Sequence, residues 1–369
     1  MKKLIISLYL AHTFCIGFSQ EEYKAFNDSC KHELTIIKQD TSRVLMMTLL
    51  GSSYAYTDFD SAIHYGNQAL VLAEKIKFSR GEVRALNSIG VAYMNQGDIP
   101  KSMEFQLKAL HLAEEYHYFI EQADCLDAMG FIYNYLKEYP KSIYYGQKAR
   151  EIIDKLKLEE WDLDIKIRIN LNLGTNYMLN NQLDSSLIYL QKTYNETLDL
   201  GWHPVLLRYF GELQFRLGNR ELALEYLRKS VAINRARDDT YSGTQANNTI
   251  ATFFYQLKQP DSCIYYAKVG LAYAQKIGYK RGALEASNLL TKQYELLKDT
   301  KQAFYYQKIA ATLNDELYGA KKILQLQKTL SEQQQRQQEI EIDKIAHENQ
   351  IKQYALLVIL GVMFLIWRE

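Results

Sequence analysis

Seven times along this chain, at intervals near 40 residues, a small residue sits three positions before an aromatic or its substitute, and a second small residue follows about twelve positions later. The anchors are Gly51, Gly90, Gly130, Gly174, Gly211, Ala251 and Thr291, spaced by 39, 40, 44, 37, 40 and 40 residues. Their partners are Ala62, Ser102, Ser142, Ser186, Ala223, Cys263 and Ala303, the first eleven residues on and the others twelve. The second halves align as AIHYGNQA, SMEFQLKA, SIYYGQKA, SLIYLQKT, ALEYLRKS, CIYYAKVG and AFYYQKIA. A period of this length restricts the chain to a stack of supersecondary units.

Within a unit the spacing is helical. Leu86, Ile89 and Tyr93 recur at three and four, one stripe of a 3.6-residue helix, and Gly90 between them admits a close neighbour. Gly97 closes that helix and Asp98 caps the next. Neither helix of a pair buries its stripe alone, so the pairs must stack into an all-α solenoid of about seven helix pairs. Only 4 prolines and a hydrophobic fraction of 47% suit a continuous helical core and exclude disorder.

Leu86, Ile89, Gly90, Tyr93, Gly97, Ser102 and Ala109 fit the tetratricopeptide pattern, as do Leu126, Met129, Gly130, Tyr133, Ser142, Tyr145 and Ala149. The chain thus resembles tetratricopeptide repeat (TPR) proteins over residues 44 to 313. The match departs from the pattern at Gly201 to Pro204, at Ala251 and Thr291, and in a period longer than the usual ~34 residues. The longer units resemble those of bacterial signalling TPR proteins. The segment Lys75-Ile76-Lys77-Phe78-Ser79-Arg80-Gly81 nearly recurs as Lys276-Ile277-Gly278-Tyr279-Lys280-Arg281-Gly282.

Both ends suggest membranes. Lys2 and Lys3 precede an apolar run from Leu4 to Phe18, and Gly17-Phe18-Ser19 suits signal peptidase, so residues 1–19 are predicted to be a signal peptide cleaved before Gln20. A helical lead-in over residues 20–43 follows. Residues 314–353 read as a stalk: nine glutamines lie between Gln325 and Gln353, and a heptad-like ladder runs through Ile323, Leu326, Leu330, Gln333, Gln337, Ile340, Lys344, His347, Ile351 and Tyr354. This predicts a parallel dimeric coiled coil with a polar middle. Residues 354–367, apolar from Ala355 to Trp367, are predicted to be a membrane segment that leaves residues 368–369 as a cytoplasmic stub. The expected location is a bacterial cell membrane with the solenoid exported to the periplasm.

Chemistry is not encoded by any motif found. Phosphate loops, GxSxG and HExxH are missing, and His12, His32, His64, His111, His117, His203 and His347 form no ligand set. No enzyme activity, cofactor or metal is expected. Cys30, Cys125 and Cys263 read as buried small apolar residues rather than a disulfide framework. With 44 Lys and Arg against 43 Asp and Glu, no basic field attracts nucleic acid.

The order of signal peptide, repeats, stalk and membrane segment resembles the sensory half of bacterial histidine kinases or helix-turn-helix regulators. That resemblance implies a non-enzymatic input module binding a peptide or protein in its concave groove. An envelope scaffold and a truncated sensor kinase or regulator remain open alternatives. In the TPR fold the inner wall is built from helix A positions that the core does not use. These offsets select Arg84, Asn87, Asp124, Asp127, Asn134, Arg168, Arg208, Glu212, Gln245, Asn248, Asn288 and Lys292, with Asn172 beside them. Amides suit a peptide backbone and arginines its carboxylates.

Overall fold

The computed structural model describes residues 20–157, 163–197 and 203–368. Residues 1–19, and with them the predicted signal peptide, lie outside the described residues, as do 201–202 at the irregular fifth unit. The described chain is all helix and turn: α1 (Gln20–Ile36), then seven antiparallel pairs, then α16 (Ala320–Arg368). The pairs are α2 (Asp40–Tyr54) with α3 (Phe59–Lys75), α4 (Ser79–Gln96) with α5 (Ile99–Glu115), and α6 (Phe119–Tyr135) with α7 (Tyr139–Asp154). They continue as α8 (Leu163–Leu179) with α9 (Leu183–Thr197), and α10 (His203–Arg216) with α11 (Arg220–Ala236). The last two are α12 (Thr240–Gln256) with α13 (Pro260–Lys276), and α14 (Lys280–Leu296) with α15 (Thr300–Tyr318). Each expected anchor lies on the first helix of a pair and each partner on the second.

The repeat has a physical reason at every element. The small anchor lets the second helix approach: a Cβ built on Gly130 would stand 3.2 Å from the carbonyl oxygen of Ser142. Three residues past the anchor an aromatic ring stacks on its counterpart across the pair. Tyr54 pairs with Tyr65, Tyr93 with Phe105, Tyr133 with Tyr145, Tyr177 with Tyr189, Phe254 with Tyr266 and Tyr294 with Tyr306, with centroids 5.1 to 5.9 Å apart. These offset stacks explain why so many of the 29 tyrosines fall on the repeat. The fifth pair carries Gln214 at that place, and Phe210 tilts against Tyr226 instead.

Most turns are closed by one residue in the left-handed region. Glycine fills it at Gly97, Gly218 and Gly278, but Lys77, His117, Lys137, Asn181, Asp238, Lys258 and Lys298 do so elsewhere. Asp98 accepts from the backbone N–H of Lys101 at 3.3 Å, which bears out the expected stop and start at Gly97-Asp98. Asp58, Asp239 and Asp299 cap their helices alike.

First helices of successive pairs also pack on each other throughout, which places α2, α4, α6, α8, α10, α12 and α14 on one wall. The first pair also reaches the sixth. Phe59 of the first pair joins the core around Leu227, Phe253 and Leu271, and Tyr56 meets Tyr241 edge to face at 5.1 Å. Leu317 presses on Gly97, whose carbonyl also accepts from Nζ of Lys322 at 3.4 Å. Solenoid units normally touch only their neighbours.

Helix α15 continues to Tyr318, and extended backbone at Gly319 separates it from α16. The chain divides into a unit ending at Lys322 and a second from Ile323 onward. The second is one continuous helix, with Ile323, Ile342, Ile345, Ile351 and Tyr354 exposed and Leu326 buried. The membrane segment expected over 354–367 requires correction: among the described residues no helix is long and apolar enough to cross a membrane. Thirteen apolar residues give about 20 Å of helix against a hydrocarbon core of about 30 Å. The polar stalk sequence before Tyr354 does not extend the run.

Candidate concave binding site

The first helices carry all thirteen residues expected on the inner wall, and these fall into distinct sets. On α4, α6 and α8 they form a ladder. Arg80 and Arg84 both donate to Oε1 of Glu121, at 2.7 and 2.8 Å. Asn87 donates to Asp124 at 2.5 Å, and Gln106 in turn donates to the Asn87 side chain at 2.9 Å. Arg168 pairs with Asp124 and, at 3.1 Å, with Asp127, which also accepts from Asn172 at 3.0 Å. Alternating basic, acidic and basic helices thus satisfy one another across three pairs.

Burial sets the electrostatics of this ladder. Asp127 is 2% exposed, and desolvation pushes its carboxyl above the usual carboxylate range although Arg168 and Asn172 oppose the shift. Burial works against the charge on Arg168, but Asp124 and Asp127 outweigh it and hold the guanidinium protonated.

Farther along, five first helices surround a chamber of about 250 Å³. Its wall includes Asn134, Asn172 and Asn176, Arg208, Glu212 and Gln245, together with Tyr135, Tyr241, Tyr279 and Arg281. Asn134 donates to Asn176 at 2.5 Å, and Arg208 donates to Oε1 of Gln245 at 2.9 Å. Arg281 lies 3.9 Å from the Tyr135 ring centroid and pairs with Glu285 at 3.0 Å, while Tyr241 and Tyr279 meet at 4.9 Å. Burial raises the Tyr135, Tyr241 and Tyr279 hydroxyls, which stay neutral donors at physiological pH.

A tetratricopeptide repeat model matches residues 83–117, and a second matches residues 210–237. The chain carries tetratricopeptide repeats. These segments coincide with α4 and α5, and with α10 and α11. No curated protein matches. Solved structures share the array's fold. The apo form of RapI is 15% identical, covering 70% of this chain and 90% of its own, with a TM-score of 0.53. A Rap protein complexed with competence and sporulation factor is 13% identical over 86% of this chain and 98% of its own, at 0.52. The apo quorum sensor NprR from B. thuringiensis is 13% identical over 79% and 81%, also at 0.52. Identities this low establish likeness of fold.

In the tetratricopeptide array the expected residues therefore divide. Asn134, Asn172, Arg208, Glu212 and Gln245 meet at the chamber. Arg84, Asn87, Asp124, Asp127 and Arg168 are engaged in the ladder. Asn248 is buried and donates to the carbonyl of Gly282 at 2.9 Å, joining α12 to α14. Asn288 and Lys292 are exposed outside the chamber lining. Offsets alone treat all these positions as free of the core, yet first-helix packing buries Asn87, Asp127, Asn172, Arg208 and Asn248.

Sequence reasoning missed Asn176, Tyr135, Tyr241, Tyr279, Arg281 and Glu285. The near-repeat ending in Gly81 and Gly282 held a signal. In both copies the aromatic three residues before glycine covers it: Phe78 packs over Gly81 and Tyr279 over Gly282. That packing fixes the first turn of α14, from which Arg281 reaches Tyr135.

Proposed function

We propose that this protein is a non-enzymatic binding module whose inner wall takes a short stretch of peptide or protein. The chamber carries the reading: amides from α6, α8 and α12 converge there with tyrosine hydroxyls and two arginines, a set that can answer peptide N–H and C=O groups. Support comes from the fold likeness to a Rap protein bound to competence and sporulation factor and to the quorum sensor NprR. A role as the input module of a signalling system follows from that reading. A panel of random pentapeptides titrated against the full chain tests it. Members should bind and raise the melting temperature, and Thr175→Trp, which fills the chamber, should abolish binding. Peptides that bind the tryptophan variant undiminished would remove the chamber from the argument.

We further propose that α16 pairs with α16 of a second copy. Ile323, Ile351 and Tyr354 keep heptad spacing and are exposed, a pattern a partner helix covers. Sedimentation of the full chain should give a dimer that Ile351→Glu weakens, and a monomer would end the idea. Export with cleavage before Gln20 is likewise proposed from the N-terminal sequence. N-terminal sequencing of the protein from its native host should begin at Gln20, and recovery of Met1 would refute it.

A further inference from the structure

Five arginines stand along the ladder and the chamber, and four of them are matched by carboxylates: Arg80 and Arg84 share Glu121. Arg168 has Asp124 and Asp127, and Arg281 has Glu285 at 3.0 Å. Arg208 differs. It is 7% exposed, its Nη2 donates to the neutral Gln245 at 2.9 Å, and its guanidinium lies 3.9 Å from the Tyr209 ring centroid. Among the described residues no carboxylate stands within ion-pair distance of it. Glu212, one turn along the same helix, makes its ion pair with Arg216 at 3.1 Å and favours the Arg208 charge only through its field, beyond contact distance.

A guanidinium withdrawn from water needs a counter-charge, and an amide oxygen supplies only a dipole. Arg208 faces the chamber, whose 250 Å³ falls just below the ~300–1,000 Å³ of common small-ligand sites. The space therefore suits one small group or a few atoms of chain, and the unmatched charge sets its sign. We propose that Arg208 anchors a carboxylate of the ligand. The guanidinium fork matches carboxylate geometry, Gln245 and the Tyr209 ring fix its plane, and Asn134 and Asn176 stand on the same wall for the adjoining peptide groups. This inference rests on the reading of the chamber as a peptide site. The carboxylate is either a peptide C-terminus or an Asp or Glu side chain.

Three pentapeptide pools titrated against the full chain distinguish these cases. The first has free C-termini and no acidic residue, the second has amidated C-termini and one Asp or Glu, and the third is amidated without acid. At least one of the first two pools should bind about tenfold or more tighter than the third. The pool that does so identifies the source. Arg208→Gln should bring it down to the third pool's affinity. If that variant does not fold, Arg208→Lys, which keeps charge but loses the fork, should reduce the advantage several-fold. Equal binding of all pools by the native protein, or an advantage that survives the Arg208 substitution, would overturn the anchor while leaving the chamber reading intact. Binding by no pool would remove both.

Discussion

Ser142 donates a 2.6 Å hydrogen bond from Oγ to the carbonyl of Gly130, the anchor that lies twelve residues before it. The third pair is thereby closed at its tightest point, where Gly130 has no Cβ and Ser142 no bulk. Gly130→Trp should cost about 3 kcal/mol or more, because the nearest obstacle is backbone that cannot move aside. Lys157→Ala, at an exposed position, should leave the melting temperature nearly unchanged. Denaturant midpoints of the two variants check the contrast, and equal midpoints would deny the close approach.

Arg168→Ala should destabilise the array by roughly 2 to 3 kcal/mol, because Asp127 would keep its burial and lose its counter-charge. The lower part of the usual range applies since Arg168 itself is 26% exposed. Thermal melting measures it. A melting temperature equal to the native one would show that Asp127 does not depend on this pair.

Asp127 also predicts a pH dependence. Its folded value lies above its unfolded one, so its contribution to stability is full below the unfolded value near ~3.9 and is lost as pH rises through the folded value. Asp127→Asn removes that loss. Relative to the native protein, the variant should gain in melting temperature between pH 4 and pH 7, and a difference independent of pH would reverse the assigned direction.

Lys137 holds the left-handed turn between α6 and α7 with φ 60° and is exposed. Glycine adopts that conformation without steric cost, so Lys137→Gly should stabilise the protein by about 0.5 to 1 kcal/mol, net of glycine's greater freedom when unfolded. Lys108→Gly, within α5, should destabilise by about 1 kcal/mol. Paired denaturation curves decide whether the two signs are opposite.

The pairs were legible because anchor, aromatic and partner recur at fixed offsets, and local packing alone demands them. Tyr133 and Tyr145 announce their stack in this way. The chamber was only half legible. Asn134, Arg208 and Gln245 follow from the position of first-helix residues, but Tyr135 meets Arg281 across three intervening pairs, a contact that no local period records. Of the ladder, Arg84, Asn87, Asp124, Asp127, Arg168 and Asn172 were named and Arg80, Glu121 and Gln106 were not, and its mutual neutralisation depends on neighbouring first helices bringing Asp124 and Asp127 to Arg168. The apolar tail is a separate case. Composition identified its character, but length governs whether a helix can span.

The seating of Phe59 and Tyr56 against the sixth pair changes how this array must come apart. An open stack frays from its ends, each terminal unit melting at the cost of a single interface. Here the first pair is fastened both to the second and to the sixth, so releasing it uncovers two surfaces at once. The couplings form a loop with no weak terminus over these pairs. Amide hydrogens of α2 and α3 should consequently exchange with those of α12 and α13, in one cooperative opening, instead of leading a graded unzipping along the chain.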